Sequence, residues 1–127
     1  MNPIACTADA DIYCLEHCPY PDACVYDHGA IFADSESDTP ENCAICLAPI
    51  NSSLTGDGVA YVLDTARDML RTPRDERNTV SHEYDGTYWE GSRRVEIVRA
   101  WIERLYWYAL TPRESRFMDL FMSRTRA

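Results

Sequence analysis

Cys14-Leu15-Glu16-His17-Cys18-Pro19-Tyr20-Pro21-Asp22-Ala23-Cys24-Val25-Tyr26-Asp27-His28, followed later by Cys43-Ala44-Ile45-Cys46, is the stretch that decides how this chain folds. All six cysteines fall within the first 46 residues. Thiolates and imidazoles are the donors that Zn2+ takes four at a time in a tetrahedron. Cysteines or histidines three or four residues apart let one turn present two donors to one ion. The pairs here are Cys14-x3-Cys18, Cys24-x3-His28 and Cys43-x2-Cys46. Cys14, Cys18, Cys24, His28, Cys43 and Cys46 are therefore the candidate metal ligands. Cys14, Cys18, Cys43 and Cys46 make one four-thiolate set; Cys24 and His28 with Cys43 and Cys46 make another. A second ion would draw on Cys6, His17 or His82. Zn2+ is the expected metal and an iron–sulfur cluster the alternative, because both take thiolates. A disulfide framework and free thiols are the other readings of six clustered cysteines.

Two local resemblances bear on the choice. Cys18-Pro19-Tyr20-Pro21-Asp22-Ala23-Cys24-Val25-Tyr26 resembles the central motif of the WhiB-like iron–sulfur transcription regulators. That resemblance implies Cys14, Cys18 and Cys24 as cluster ligands, a redox-sensing role and a sigma factor as partner. The chain departs from that family in three ways. Three residues, not two, separate Cys14 from Cys18, the Gly-Trp-Gly turn is missing, and no basic DNA-binding tail follows. Cys43-Ala44-Ile45-Cys46-Leu47 resembles the opening of a RING finger, but no cysteine follows Cys46.

Outward from the cysteines, Pro19 and Pro21 prevent a long helix through the cluster. Residues 34–41 are polar and acidic and read as a loop. Gly56 and Gly58 read as turn residues. The first helix is expected from Val59 to Arg71, with Val59, Val62, Leu63, Ala66, Met69 and Leu70 on one face. Val80–Tyr84 and Thr87–Trp89 flank Asp85-Gly86 and form a candidate β-hairpin at 80–89. A second helix is expected from Arg93 to Leu110. The third has a complete start signal, with Thr111 to cap, Pro112 at the first helical position and Glu114 to complete a capping box. Leu110-Thr111-Pro112-Arg113-Glu114 also resembles the entry to a LuxR-type helix-turn-helix, but the chain ends before a recognition helix could follow. The expected fold is mainly α with an irregular, metal-stapled N-terminal module. A cysteine-rich module over residues 1–50 would support a helical region over 57–127 packed on it.

The chain has 127 residues, 46% hydrophobic and 26% charged, which describes a folded protein rather than a disordered one. Every one of its 12 basic residues is Arg. Charge is unevenly spread: residues 1–92 carry 4 Arg against 17 acids, −13, and residues 93–127 carry 8 Arg against 4 acids, +4. The acidic front repels phosphates, so nucleic-acid binding is a third reading, restricted to the C-terminal part. Trp101, Tyr106, Trp107 and Tyr108 stand close to Arg99, Arg104 and Arg113. Aromatic residues and Arg are enriched at binding hot spots, so these four are candidate partner-binding residues, for a protein partner or a homodimer through the aromatic helix.

No nucleophile elbow, phosphate loop or paired metalloprotease histidines occur. His82-Glu83-x-Asp85 reads as a surface hairpin rather than an acid–base group. The function expected is therefore not enzymatic. It is that of a small acidic regulator or adaptor with a structural zinc site, acting on transcription or host-defence machinery. No apolar run spans a membrane, and the N-terminus lacks the basic start and apolar stretch of an export signal. A cytoplasmic location is the expectation.

Overall fold

The computed structural model describes residues 3–20, 29–78 and 94–126. Cys24, His28, His82 and the hairpin expected at 80–89 lie outside the described residues. The chain divides into two compact units, Met1–Val59 and Ala60–Ala127.

The expectation of a mainly α fold is corrected. Helix accounts for 47% and strand for 18% of the described residues, and several small sheets make the protein mixed α/β. In the first unit, β1 (Ala5–Ala8) pairs antiparallel with β2 (Asp11–Cys14) and with β3 (Ala30–Ile31), giving the strand order β2-β1-β3. β4 (Glu36–Ser37) runs parallel to β7 (Ser53–Leu54), and β5 (Glu41–Asn42) pairs antiparallel with β6 (Pro49–Ile50). These strands are two to four residues long. A two-residue alternation is invisible at that length, so hydrophobic periodicity does not reveal them.

The β1–β2 turn is hidden for a second reason. Asp9 and Ala10 form a two-residue loop between the paired Ala8 and Asp11, with φ of 50° and 66°. Positive φ at both central positions is the mark of the mirror-image hairpin turn, for which Asp-Gly is the usual signal. Here an exposed Ala stands where Gly would sit without steric cost. Ala10→Gly is expected to stabilise the first unit by up to about 1 kcal/mol, read as a higher urea midpoint.

The core of this unit is small. Among its described residues, Ala5, Cys6, Cys43 and Ile50 are the buried hydrophobic ones, and Ile4, Ile12, Tyr13 and Ile31 pack partly buried against Ala5, Cys43 and Ile50. Two of those four buried residues are cysteines.

The described part of the second unit is helical. α1 (Gly56–Arg71) has its first turn in the first unit and starts three residues before the expected Val59. Thr55 caps it, its Oγ1 accepting a hydrogen bond from the Gly58 amide at 3.2 Å. Gly58 is not a loop residue: a Cβ there would come within 2.8 Å of the Ser37 carbonyl oxygen. Two glycines, one of them demanded by packing, thus disguise the first helical turn. Val62, Leu63, Ala66 and Met69 are its buried face.

α2 (Arg94–Leu105) buries Ile97, Val98, Trp101, Ile102 and Leu105. It stops five residues before the expected Leu110, as the amides of Tyr106, Trp107 and Tyr108 bond to carbonyls three residues back and tighten the last turn. α3 (Pro112–Arg124) buries Met118 and Phe121. The Arg99 guanidinium donates to the Met122 carbonyl at 2.8 Å and to Thr125 Oγ1 at 2.7 Å. A cation at a helix C-terminus also favours the helix dipole.

Thr111 and Glu114 form a closed capping box. Thr111 Oγ1 accepts from the Glu114 amide at 3.2 Å, and Glu114 Oε1 accepts from the Thr111 amide at 2.9 Å. The bonds to Thr111 hold the Glu114 carboxyl below its ordinary value. Thr111→Ala is expected to cost about 1 kcal/mol in thermal or urea unfolding. The Glu114 share is complete above the ordinary carboxylate range and fades as pH falls through its lowered folded value.

Candidate metal centre

Four donors converge in the first unit: Cys14, His17, Cys43 and Cys46, with ligand atoms all within 4.8 Å of one another. They arrive on two turns. Cys14 ends β2, where its partner in the ladder is Ala5. A single 3-10 turn over Leu15–His17 then swings the imidazole back, placing His17 Nδ1 3.1 Å from Cys14 Sγ.

The second turn lies between β5 and β6. The Cys43 amide donates to the Ala48 carbonyl and the Leu47 amide to the Cys43 carbonyl, each at 2.9 Å. Asn42 Nδ2 donates to the Leu47 carbonyl, also at 2.9 Å. Leu47 itself has a φ of 62°, the left-handed conformation that closes the turn. The Ala44 amide donates to the Ile12 carbonyl at 2.9 Å, which fastens this turn to β2 beside the first one.

Across the two turns, Cys14 Sγ lies 3.8 Å from Cys46 Sγ, and Cys43 Sγ lies 3.9 Å from His17 Nδ1. A tetrahedron built on Zn–S bonds of about 2.3 Å and Zn–N bonds of about 2.0 Å has S···S edges of about 3.8 Å and S···N edges of about 3.5 Å. The donor set therefore has the size of one tetrahedral site. Three thiolates and one imidazole fit a metal ion, and the two turns bring them together.

The electrostatics suit anionic sulfur at Cys43. Burial opposes its ionisation, but hydrogen bonds from Cys46, Cys14 and Ile45 outweigh burial and lower its thiol to about 6. One of these is the Ile45 amide, 3.5 Å from Cys43 Sγ. Burial raises the Cys14 thiol, and the neighbouring thiols add to that rise while His17 opposes it.

Of the six ligands expected, the structure brings together Cys14, Cys43 and Cys46. Cys18 is not among them, because its sulfur is joined to Cys6 in a disulfide. Its place is taken by His17, one residue earlier. The signal for His17 is in the sequence: Cys14-Leu15-Glu16-His17 repeats the two-residue spacing of Cys43-Ala44-Ile45-Cys46. The cysteine at position 18 masks it. Of the ligand trio that the WhiB-like resemblance implies, Cys18 is bonded to Cys6 and Cys24 lies outside the described residues.

The four aromatic residues singled out as partner-binding separate into different environments. Trp101 is in the core, 6.3 Å from the Tyr61 ring centre. Tyr106 is half exposed and donates to Asp119 Oδ1 at 2.8 Å. Burial and that bond push its phenol up to about 12. Trp107 is 89% exposed, and Tyr108 is half buried. The three outer residues sit in the turn beyond α2, not on a continuous aromatic helix.

Among the described residues no helix is long and apolar enough to cross a membrane. Comparison of the chain with protein-family models, curated proteins and solved structures gives no match. The chemistry of the site therefore rests on its geometry.

Proposed function

We propose that this protein is a small acidic adaptor or regulator that acts by protein contact, with a structural zinc ion holding its N-terminal unit together. The observation that carries the reading is the closed donor set of Cys14, His17, Cys43 and Cys46. Four protein ligands fill the coordination of Zn2+, whereas catalytic zinc keeps one position for water or substrate. The small core of the same unit explains what the metal is for. With so few buried apolar side chains among its described residues, a domain of this size depends on staples.

The acidity supports contact with proteins rather than nucleic acid. Residues 1–59 contain 10 Asp and Glu and no Arg or Lys, a surface that phosphates avoid. Elemental analysis combined with native mass spectrometry of the full chain tests the reading. A colourless protein with stoichiometric zinc is expected. A brown protein with iron and sulfide would make it a redox sensor instead, and a metal-free protein would end the structural-metal reading.

A further inference from the structure

The Cys6–Cys18 disulfide and the four-donor cluster share the same short stretch of chain. Cys18 follows the donor His17 directly. Cys6 pairs with Tyr13, the residue before the donor Cys14. The disulfide also holds the Cys18 sulfur apart from the cluster. Ala5 and Cys14 lie opposite each other in the β1–β2 ladder and share one side of it, and Ala5 packs with Cys43. Successive residues of a strand point to opposite sides, so Cys6 issues from the other side. Cys18 is fixed to it, with 6.3 Å between the two Cα atoms.

Without that bond, position 18 suits a fourth sulfur. In a 3-10 turn, residues three apart eclipse, which sets His17 over Cys14. In an α-turn the residue four along also returns to the same face. Cys18 is four residues after Cys14, and the 3-10 turn ends there, where the backbone becomes extended. Winding this turn by one further residue carries Cys18 toward the place of His17. Zn2+ accepts four thiolates as well as three thiolates and an imidazole. A thiol attached to the residue beside a ligand also competes at high effective concentration.

We propose that the Cys6–Cys18 disulfide selects the ligand set of the metal. With the bond closed, the ion takes Cys14, His17, Cys43 and Cys46. With the bond reduced, Cys18 replaces His17 and the site becomes four thiolates. This inference rests on the structural-zinc reading above and adds the regulation of that site.

The electron donor is a dithiol reductant. Its thiolate attacks the Cys18 sulfur, since Cys18 is half-buried whereas Cys6 is buried. Cys6 leaves and takes up a proton. The second thiol of the reductant then displaces Cys18 and closes the reductant's own disulfide. Two electrons and two protons have passed to Cys6 and Cys18. The Cys18 thiol gives its proton to water as its sulfur binds zinc, and His17 departs as neutral imidazole. The ion stays Zn2+ throughout. Because one protein donor replaces another, the exchange is read in the ligand set rather than in the unfolding curve.

The test uses the zinc-loaded full chain, with and without a dithiol, and counts sulfur and nitrogen ligands by X-ray absorption at the zinc edge. Oxidised protein should show three sulfurs and one nitrogen, and reduced protein four sulfurs, with the His17 ring resonances moving to those of an unbound imidazole. Cys6→Ser and Cys18→Ser both lack the disulfide, but Cys18 is free in the first alone. Cys6→Ser should therefore show four sulfurs without reductant, and Cys18→Ser three sulfurs and one nitrogen in both conditions. His17→Ala should bind zinc at least about tenfold more weakly than wild type when oxidised, and regain most of that loss on reduction.

Three sulfurs and one nitrogen in reduced wild type would overturn the proposal. So would loss of the zinc on reduction, the same ligand change in Cys18→Ser, or free thiols at Cys6 and Cys18 in the oxidised protein. Each of the last three variants and states is compared with wild type, so a misfolded Cys6→Ser still leaves the comparison of reduced wild type with Cys18→Ser to decide. A chain that takes up no zinc in either state sinks the structural-metal reading itself.

Discussion

Stripping the metal from the full chain should unfold the first unit and leave the helices of the second in place. A structural zinc site in a small domain contributes on the order of 10–16 kcal/mol of apparent binding free energy, and most of that is folding energy. Nothing else in the described residues of the first unit is of comparable size. Its strands are two to four residues long, and its enclosed apolar side chains are Ala5, Cys6, Cys43 and Ile50. The second unit has its own core, from Val62 and Met69 through Trp101 and Leu105 to Phe121. A chelator titration followed by amide spectra and far-ultraviolet circular dichroism separates the two. Amide dispersion for the first unit should collapse while most helical signal remains. Acid should act in the same direction, since the ligands bind metal only when deprotonated and affinity falls as pH falls. An unchanged spectrum and melting curve after complete chelation would show that the four donors hold no structural ion.

The disulfide is the next largest contribution. Cys6 and Cys18 are 12 residues apart, and closing a loop of that length removes about 3 kcal/mol of conformational freedom from the unfolded chain. The bond also anchors the residue immediately after His17, so it restrains the turn that carries the imidazole. Reduction, or Cys6→Ala/Cys18→Ala, should lower the unfolding free energy of the zinc-loaded first unit by about 3 kcal/mol. Under reductant, wild type and the double variant should nearly coincide. If reductant leaves the wild-type midpoint unmoved, the two sulfurs are not bonded in solution. The result also bears on where the protein works: disulfides persist in oxidising compartments and open in a reducing cytosol, where the metal would have to hold the unit alone.

The sequence and the structure agree best where chemistry leaves a local mark. Thr111, Pro112 and Glu114 announce the start of α3 because capping needs those residue types at those positions. Cys43-x2-Cys46 announces a ligand turn for a similar reason. The small sheets leave no such mark. Ala10 and Leu47 occupy left-handed positions where glycine would have signalled a turn, and Gly58 is a glycine for steric reasons inside a helix. His17 is hard to see beside Cys18, which is the stronger ligand by type, and pairing between cysteines depends on where β1 and β2 place them. Trp101 and Trp107 read alike in sequence, yet burial separates them completely, since helical spacing brings Trp101 inward and the tightened end of α2 turns Trp107 out.

The two ligand turns have one more consequence, which concerns connectivity. Cys14 and His17 belong to one stretch of chain and Cys43 and Cys46 to another, so the ion would knot residues 14–17 to 43–46 and make the intervening chain a handle. A protease cut between Cys18 and Cys43 would open the handle without releasing either end. The nicked protein would run as one particle in native chromatography and as two fragments only after the metal is withdrawn and the protein denatured.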